Sequence, residues 1–309
     1  MIFVRFFSTT TGVFRSGPSA PAMILRWRWA LRSSQPGGAD FRVAFAVPSP
    51  SVSFRLVSRP DPLQLIEAVV DHWESRLRER LELLEPKPLG LATGRTMEPF
   101  YRQLIARLRG WTEPERQRLI EGWLSFNLDE YVGLDSGSAA SFAATMQRCL
   151  GDALGLPPAQ LRLPDGAAPD PDGEARRYAL ALEQAGGLGV QLLGLGGNGH
   201  VGFNEPPCGA DTRCRVVQLS HATRIQNAAA FGGDPQRVPP QAITFGIAEI
   251  LQAEEIHLVV TGVGKALILA RLLRGEATPD LPASWLGFHP RVHLWADAAA
   301  LSADAVSGM

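Results

Sequence analysis

The sequence predicts an α/β fold, a mainly parallel sheet with helices on both faces. Two observations predict it. Short apolar runs at residues 89–92, 190–193 and 256–261 have the length and composition of buried strands. Each is followed by a polar turn containing Gly, and segments of helical period lie between the runs. Strands that alternate with helices build a parallel sheet covered on both sides.

Asp61-Pro62 opens the first helix. Asp61 is a capping residue, Pro62 suits the first helical position, and Gln64 completes a capping-box pattern. Leu63, Ile66, Val70, Trp73, Leu77, Leu81 and Leu84 recur at helical spacing and predict the buried stripe. The strand at 89–92 runs into Thr93-Gly94-Arg95-Thr96, and a helical pattern continues through Tyr101, Leu104, Ile105 and Leu108. A strand, a Gly-containing turn and a helix N-terminus make an anion site, because free N–H groups and the helix dipole both favour a phosphate. The alternative is an ordinary turn with a Thr cap; Arg95 favours the phosphate.

Residues 124–128 predict the next strand, which ends in Asp129-Glu130-Tyr131. Adjacent carboxylates there suit a base in a partly dry site; a capped loop is the alternative. Residues 135–172 are rich in Gly, Ala, Pro and Asp, and a helix is predicted over 174–185. The strand at 190–193 then meets a Gly cluster that carries Asn198, His200 and Glu205. The glycines let the chain turn with N–H groups exposed, just past a strand's carboxyl end, where open α/β sheets bind ligands. Gly194, Gly196 and Gly199 have dinucleotide-loop spacing. That reading is disfavoured, because Pro206-Pro207 blocks the required helix and the next apolar run ends in Leu219-Ser220-His221 without an acid.

Residues 216–219 predict a strand and 243–251 a mostly helical segment. The strand at 256–261 leads into Gly262-Val263-Gly264-Lys265 and a helix through Leu267, Leu269, Ala270, Leu272 and Leu273, stopped by Gly275. A P-loop fails on spacing, since Val259 stands where a Gly is needed. Lys265 can still meet a phosphate as a point charge. Residues 292–295 form the last predicted strand.

The 309 residues carry 30 Lys and Arg against 31 Asp and Glu. Near-neutrality argues against a nucleic-acid partner. Cys149, Cys208 and Cys214 are odd in number and widely spaced, which predicts a reducing, cytoplasmic compartment. No apolar run approaches the ~18 residues of a membrane span. Residues 1–52 lack acids before Asp40 and contain Arg5, Arg15, Arg26, Arg28 and Arg32. They read as a transit-like segment or, preferably, as sequence upstream of the true start. They are expected to lie outside the fold, with 53–309 as a single domain.

Three segments together resemble the signatures of the glucosamine-6-phosphate deaminase family, relatives of the 6-phosphogluconolactonases. They are Phe126-Asn127-Leu128-Asp129-Glu130-Tyr131-Val132-Gly133-Leu134, the run from Gly196 to Pro206, and Thr93-Gly94-Arg95-Thr96. The likeness spans about residues 54–300. It implies a Rossmann-like sheet of the sugar-phosphate isomerase type. It also implies conversion of glucosamine 6-phosphate and water to fructose 6-phosphate and ammonium, in amino sugar catabolism. Asp129 matches the base that moves a proton from C2 to C1. His200 matches the proton shuttle at the ring oxygen. Glu205 matches the residue that orients and charges that His, and Asn198 a further orienting position. Thr93, Gly94, Arg95, Thr96 and Lys265 fall at the substrate phosphate. No metal or cofactor is implied, and the Cys208/Cys214 spacing does not fit a zinc deaminase. The implied partner is a small-molecule sugar phosphate, without nucleic acid or membrane, on a monomer or homo-oligomer.

Three departures stand out. Arg95 occupies a position where the family usually has a small residue. Ala229 stands where it usually has an Arg that binds the substrate phosphate. Pro207-Cys208-Gly209-Ala210 and Val217 lack the Ser and Lys that hold an allosteric activator in regulated members. A lactonase, or an isomerase for another hexosamine phosphate such as galactosamine 6-phosphate, is the enzymatic alternative. A sugar-phosphate sensor on an inactive scaffold is the non-enzymatic one; the joint presence of Asp129, His200 and Glu205 argues against it.

Overall fold

The computed structural model describes residues 54–302. The expected extension at 1–52 lies outside them. The chain enters through β1 (Arg55–Arg59) and α1 (Pro62–Arg80). It continues through β2 (Leu89–Leu91), α2 (Met97–Arg109), α3 (Glu113–Glu121), β3 (Ser125–Asn127) and β4 (Asp129–Tyr131). Next come α4 (Phe142–Met146), a π-helical turn, α5 (Asp152–Leu154), β5 (Leu161–Arg162), α6 (Pro171–Gln184) and β6 (Val190–Gly194). The last part holds β7 (Arg215–Gln218), α7 (His221–Asn227), β8 (Gln241–Thr244), α8 (Ile247–Leu251), β9 (Glu255–Val260), α9 (Ala266–Leu273) and β10 (Val292–Asp297).

Seven strands form one parallel sheet in the order β1-β10-β9-β6-β2-β3-β5. Every residue of β2, β9 and β10 is buried, so both faces of the sheet are covered, as a parallel sheet requires. A second, antiparallel sheet has the order β4-β8-β7. Leu128 joins the two sheets. Its N–H donates to Leu91 O at 3.0 Å, and its carbonyl accepts from Phe245 N at 2.8 Å. No described helix is long and apolar enough to cross a membrane.

Asp61 caps α1, accepting from Gln64 N at 2.9 Å. Gln64 does not complete the box: its side chain donates to the Asp61 carboxylate instead of returning to the cap N–H. The inward stripe of α1 is Leu65, Ile66, Val69, Val70, Trp73 and Leu77. Leu63 and Leu84 depart from expectation, at 69% and 101% exposed. Leu84 lies beyond the helix, which ends at Arg80.

Residues 124–128 do not form one strand running up to the acids. The chain leaves the parallel sheet after Asn127, and Asp129-Glu130-Tyr131 is a strand of the other sheet. Residues 243–251 divide into the end of β8 and the short α8, with Gly246 between them. A Cβ on Gly246 would overlap the Thr212 carbonyl, so the break needs Gly there.

Candidate active site

The carboxyl ends of β2 and β6, the start of β4 and the turn after β9 converge on a cavity of about 190 Å³. Thr93, Gly94, Arg95, Thr96, Asp129, His200 and Lys265 all line it. Asn198 and Glu205 stand behind His200, on an adjoining groove.

The turn after β2 reverses at Gly94, whose φ of +116° is unfavourable for any other residue. Thr96 makes no side-chain cap, so α2 points a helix N-terminus at the cavity without its own hydroxyl closing it. Lys265 arrives on the turn after β9. That turn is tied down by Gly262 N, which donates to both Asp297 carboxylate oxygens at 3.0 and 2.9 Å. Burial pulls the Lys265 ammonium below its usual value, and the nearby Arg95 charge adds to this. Neither cation has an ion-pair partner among the described residues, so the cavity wall carries two uncompensated positive charges.

Asp129 is 6% exposed and its carboxylate accepts no hydrogen bond from a described residue. Burial, with a smaller contribution from Glu130, pushes its carboxyl up to about 8. Gly202 lies against it; a Cβ there would come within 3.3 Å of Asp129 Oδ2. Phe142 and Phe203 stack at 6.0 Å between ring centroids and form an apolar side of the cavity. Those rings help keep the site dry.

The Gly-rich loop after β6 folds back tightly, with Gly196 N on His200 O at 2.9 Å. No helix follows before α7, which removes the dinucleotide reading. A Cβ on Gly196 would overlap the His200 ring, so this glycine makes the room the imidazole occupies. His200 Nδ1 lies 2.6 Å from Asn198 Oδ1, and Asn198 Nδ2 donates to Glu205 Oε1 at 3.4 Å. A carboxylate only accepts, so it orients the amide with oxygen toward the ring. An amide oxygen also only accepts, so His200 carries its proton on Nδ1. Nε2 is left with a free lone pair.

Glu205 thus reaches His200 through Asn198, and not by direct contact. Its carboxylate also accepts from Ser220 N at 2.8 Å, Ser220 Oγ at 2.6 Å and Thr223 Oγ1. Burial opposes its ionisation, but these hydrogen bonds outweigh it and hold the group below its usual value. Burial lowers His200 to about 4; the Glu205 charge opposes that shift and Lys265 reinforces it. The imidazole is neutral at pH 7.

Gln226 and Asn227, at the end of α7, line the cavity and were not signalled by the sequence. They are amides in an otherwise unremarkable helix, and only the fold brings them to the site. Ala229, two residues on, is exposed. All three cysteines are free.

Residues 60–295 match the family described as glucosamine-6-phosphate isomerases/6-phosphogluconolactonase. A glucosamine-6-phosphate deaminase of Shouchella clausii is 41% identical over 226 residues, covering 73% of this chain and 89% of that protein. One of Rhodopirellula baltica is 40% identical over 243 residues, covering 77% and 94%. Among solved structures, a monomeric glucosamine-6-phosphate deaminase superposes with a TM-score of 0.74 at 34% identity, over 81% of this chain and all of that one. The 6-phosphogluconolactonase of Trypanosoma cruzi matches at TM-score 0.65 and 17% identity, over 82% and 98%, a likeness of fold alone. With the family matched over residues 60–295 and deaminases about 40% identical over most of its length, the chain belongs to the glucosamine-6-phosphate isomerase/6-phosphogluconolactonase family.

Proposed function

We propose that the protein converts glucosamine 6-phosphate and water to fructose 6-phosphate and ammonium. One observation carries the reading. A carboxylate, an imidazole Nε2 and two cations, each without a hydrogen-bond or ion-pair partner among the described residues, open onto one cavity. The phosphate sits against the 93–96 turn, the α2 N-terminus, Arg95 and Lys265. Neutral His200 takes the proton of the C1 hydroxyl on Nε2 and returns it to the ring oxygen, which opens the sugar. Asp129 then removes the C2 proton. The electron pair moves into the C1–C2 bond, the carbonyl oxygen at C1 takes the proton that the substrate ammonium gives up, and an enolamine forms. A proton added at C1 gives the C2 imine. Water adds to C2, ammonia leaves, and a ketone remains, so one water enters for each ammonia released.

The raised Asp129 value suits a base, which works best with an affinity near the operating pH. A protonated substrate amine beside it draws it toward the ionised form. Asn198 and Glu205 are positioning residues that act through His200. Free thiols support a cytoplasmic setting.

An ammonia-release assay on glucosamine 6-phosphate and galactosamine 6-phosphate, beside a 6-phosphogluconolactone hydrolysis assay, tests the reading. Ammonia from the glucosamine ester is expected. Lactone hydrolysis without ammonia release would overturn it.

A further inference from the structure

At the amino-terminal end of the sheet, where β9 and β10 begin, a second group of polar side chains is gathered. Glu255 opens β9, His257 is two residues further, His293 is the second residue of β10, and His72 comes from α1. Glu255 Oε1 lies 2.8 Å from His72 Nε2, 3.0 Å from His257 Nε2 and 3.2 Å from His293 Nε2. One atom from each residue falls within 4.8 Å of all the others. Glu255, His257 and His293 are buried, and a cavity of about 420 Å³ opens beside His72, Glu255 and His293.

The three imidazoles are not equivalent. Trp295 Nε1 donates to His257 Nδ1 at 3.0 Å. An indole only donates, so His257 Nδ1 is an acceptor and the neutral ring keeps its proton on Nε2, directed at Glu255. His257 is therefore a hydrogen-bonding partner of the carboxylate. His72 Nε2 and His293 Nε2 have no partner other than the same carboxylate oxygen among the described residues. Three ring nitrogens converge on one oxygen with two lone pairs, one more than it accepts well. The other oxygen is already held by Arg76 Nε at 3.2 Å and Arg291 at 3.0 Å.

We propose that His72 Nε2, His293 Nε2 and Glu255 Oε1 bind a divalent transition-metal ion of the zinc class. Two imidazoles and one carboxylate suit a borderline ion, whereas calcium and magnesium take oxygen ligands. The cavity beside His72 leaves room for a solvent ligand. His257, itself held by Trp295, orients the carboxylate from outside, as outer partners of metal ligands do. The ion would join α1 to the start of two central strands. It lies far from Asp129 and His200 and takes no part in their chemistry. His72, Glu255 and His293 are widely separated in sequence, so no ligand spacing announces them.

The test uses full-length protein stripped with chelator, then titrated with zinc chloride by calorimetry and with cobalt chloride by visible absorption. One ion per chain is expected, with cobalt ligand-field bands of a low-coordinate nitrogen/oxygen site. A melting-temperature rise of roughly 5–10 °C is expected at a zinc concentration about a hundredfold above Kd. His72→Gln with His293→Gln should weaken binding by more than about a hundredfold, beyond what an outer partner contributes. That variant should retain ammonia release, which reports its folding. The single variant His72→Gln, at a half-exposed position, serves if the double variant does not fold. Equal uptake by wild type and variant, no cobalt spectrum in the wild type, or a thiolate charge-transfer band placing the ion on a cysteine would each overturn the proposal.

Discussion

Asp129 and Glu130 are consecutive residues of β4, and their carboxylates have opposite surroundings. Strand alternation sends them to opposite faces. Asp129 opens onto the cavity with no hydrogen bond from a described residue. Glu130 accepts from Tyr131 N at 2.9 Å, Phe142 N at 3.0 Å and Ala143 N at 2.8 Å, closing the first turn of α4. One acid is kept reactive and its neighbour is used for structure.

Asp129→Asn should therefore lower kcat by about a thousandfold or more and leave KM nearly unchanged, since the loss falls on the transition state. Glu130→Ala should cost about 1–3 kcal/mol of stability through orphaned backbone donors, with smaller effects on the folded enzyme's turnover. Steady-state kinetics and denaturant melts separate the two. A Glu130 variant slower than the Asp129 variant would reverse the assignment.

Asp129 also sets a pH dependence of stability. Its folded value, about 8, lies above the ordinary Asp value of 3.8. Between those values the folded state binds more protons than the unfolded one, so stability falls as pH rises from about 4 to 8. Asp129→Asn removes that loss. The variant should exceed wild type by roughly 2–5 kcal/mol at pH 8, and the excess should shrink toward pH 4. Chemical denaturation at a series of pH values checks it; a constant difference would show that the carboxyl is not held protonated.

Arg95 provides a charge at the rim where Ala229 provides none. A charge-assisted contact contributes about 1.5–3 kcal/mol. Arg95→Ser should raise KM for glucosamine 6-phosphate by about ten- to a hundredfold, with a smaller change in kcat. Ala229→Arg in that background should recover part of the loss, because Gln226 and Asn227 beside it already reach the cavity. Unchanged KM in Arg95→Ser would place the guanidinium in solvent.

Asn198 and Glu205 set the tautomer of His200 in series. Asn198→Ala and Glu205→Gln should each lower kcat by about ten- to a hundredfold. The double variant should be little worse than the poorer single one, since residues acting through one chain are non-additive. Full additivity of the two losses would mean that they act separately.

Much of this was legible from the chain itself. Period and turn chemistry placed α1, α2, α6 and the strands β2, β6, β9 and β10, because each carries its burial pattern locally. The residues that line the cavity were legible where a Gly-rich turn or strand end advertised them, as at Arg95, Asp129 and His200. The rest depended on distance. β1 is an edge strand whose residues are mostly exposed, so it has no apolar run to read. β4 looks like the tail of β3 until β8 is known to pair with it. Gln226 and Asn227 carry no chemistry of their own. The link from Glu205 through Asn198 to His200 needs the loop to fold back on itself.

Leu128 gives the enzyme two kinds of boundary around one substrate. The proposed base, Asp129, follows directly on a residue whose backbone bonds to Leu91 on one side and Phe245 on the other, so that end of the cavity is tied down on two sides. The proposed phosphate end is built on the turns carrying Arg95 and Lys265, where side chains can be exchanged without shifting a strand. Substitutions at the rim can therefore change recognition while the base stays in register. A laboratory search for variants that accept a different six-carbon ester should randomise the rim at 95, 226, 227 and 229 and leave 128 and 129 alone.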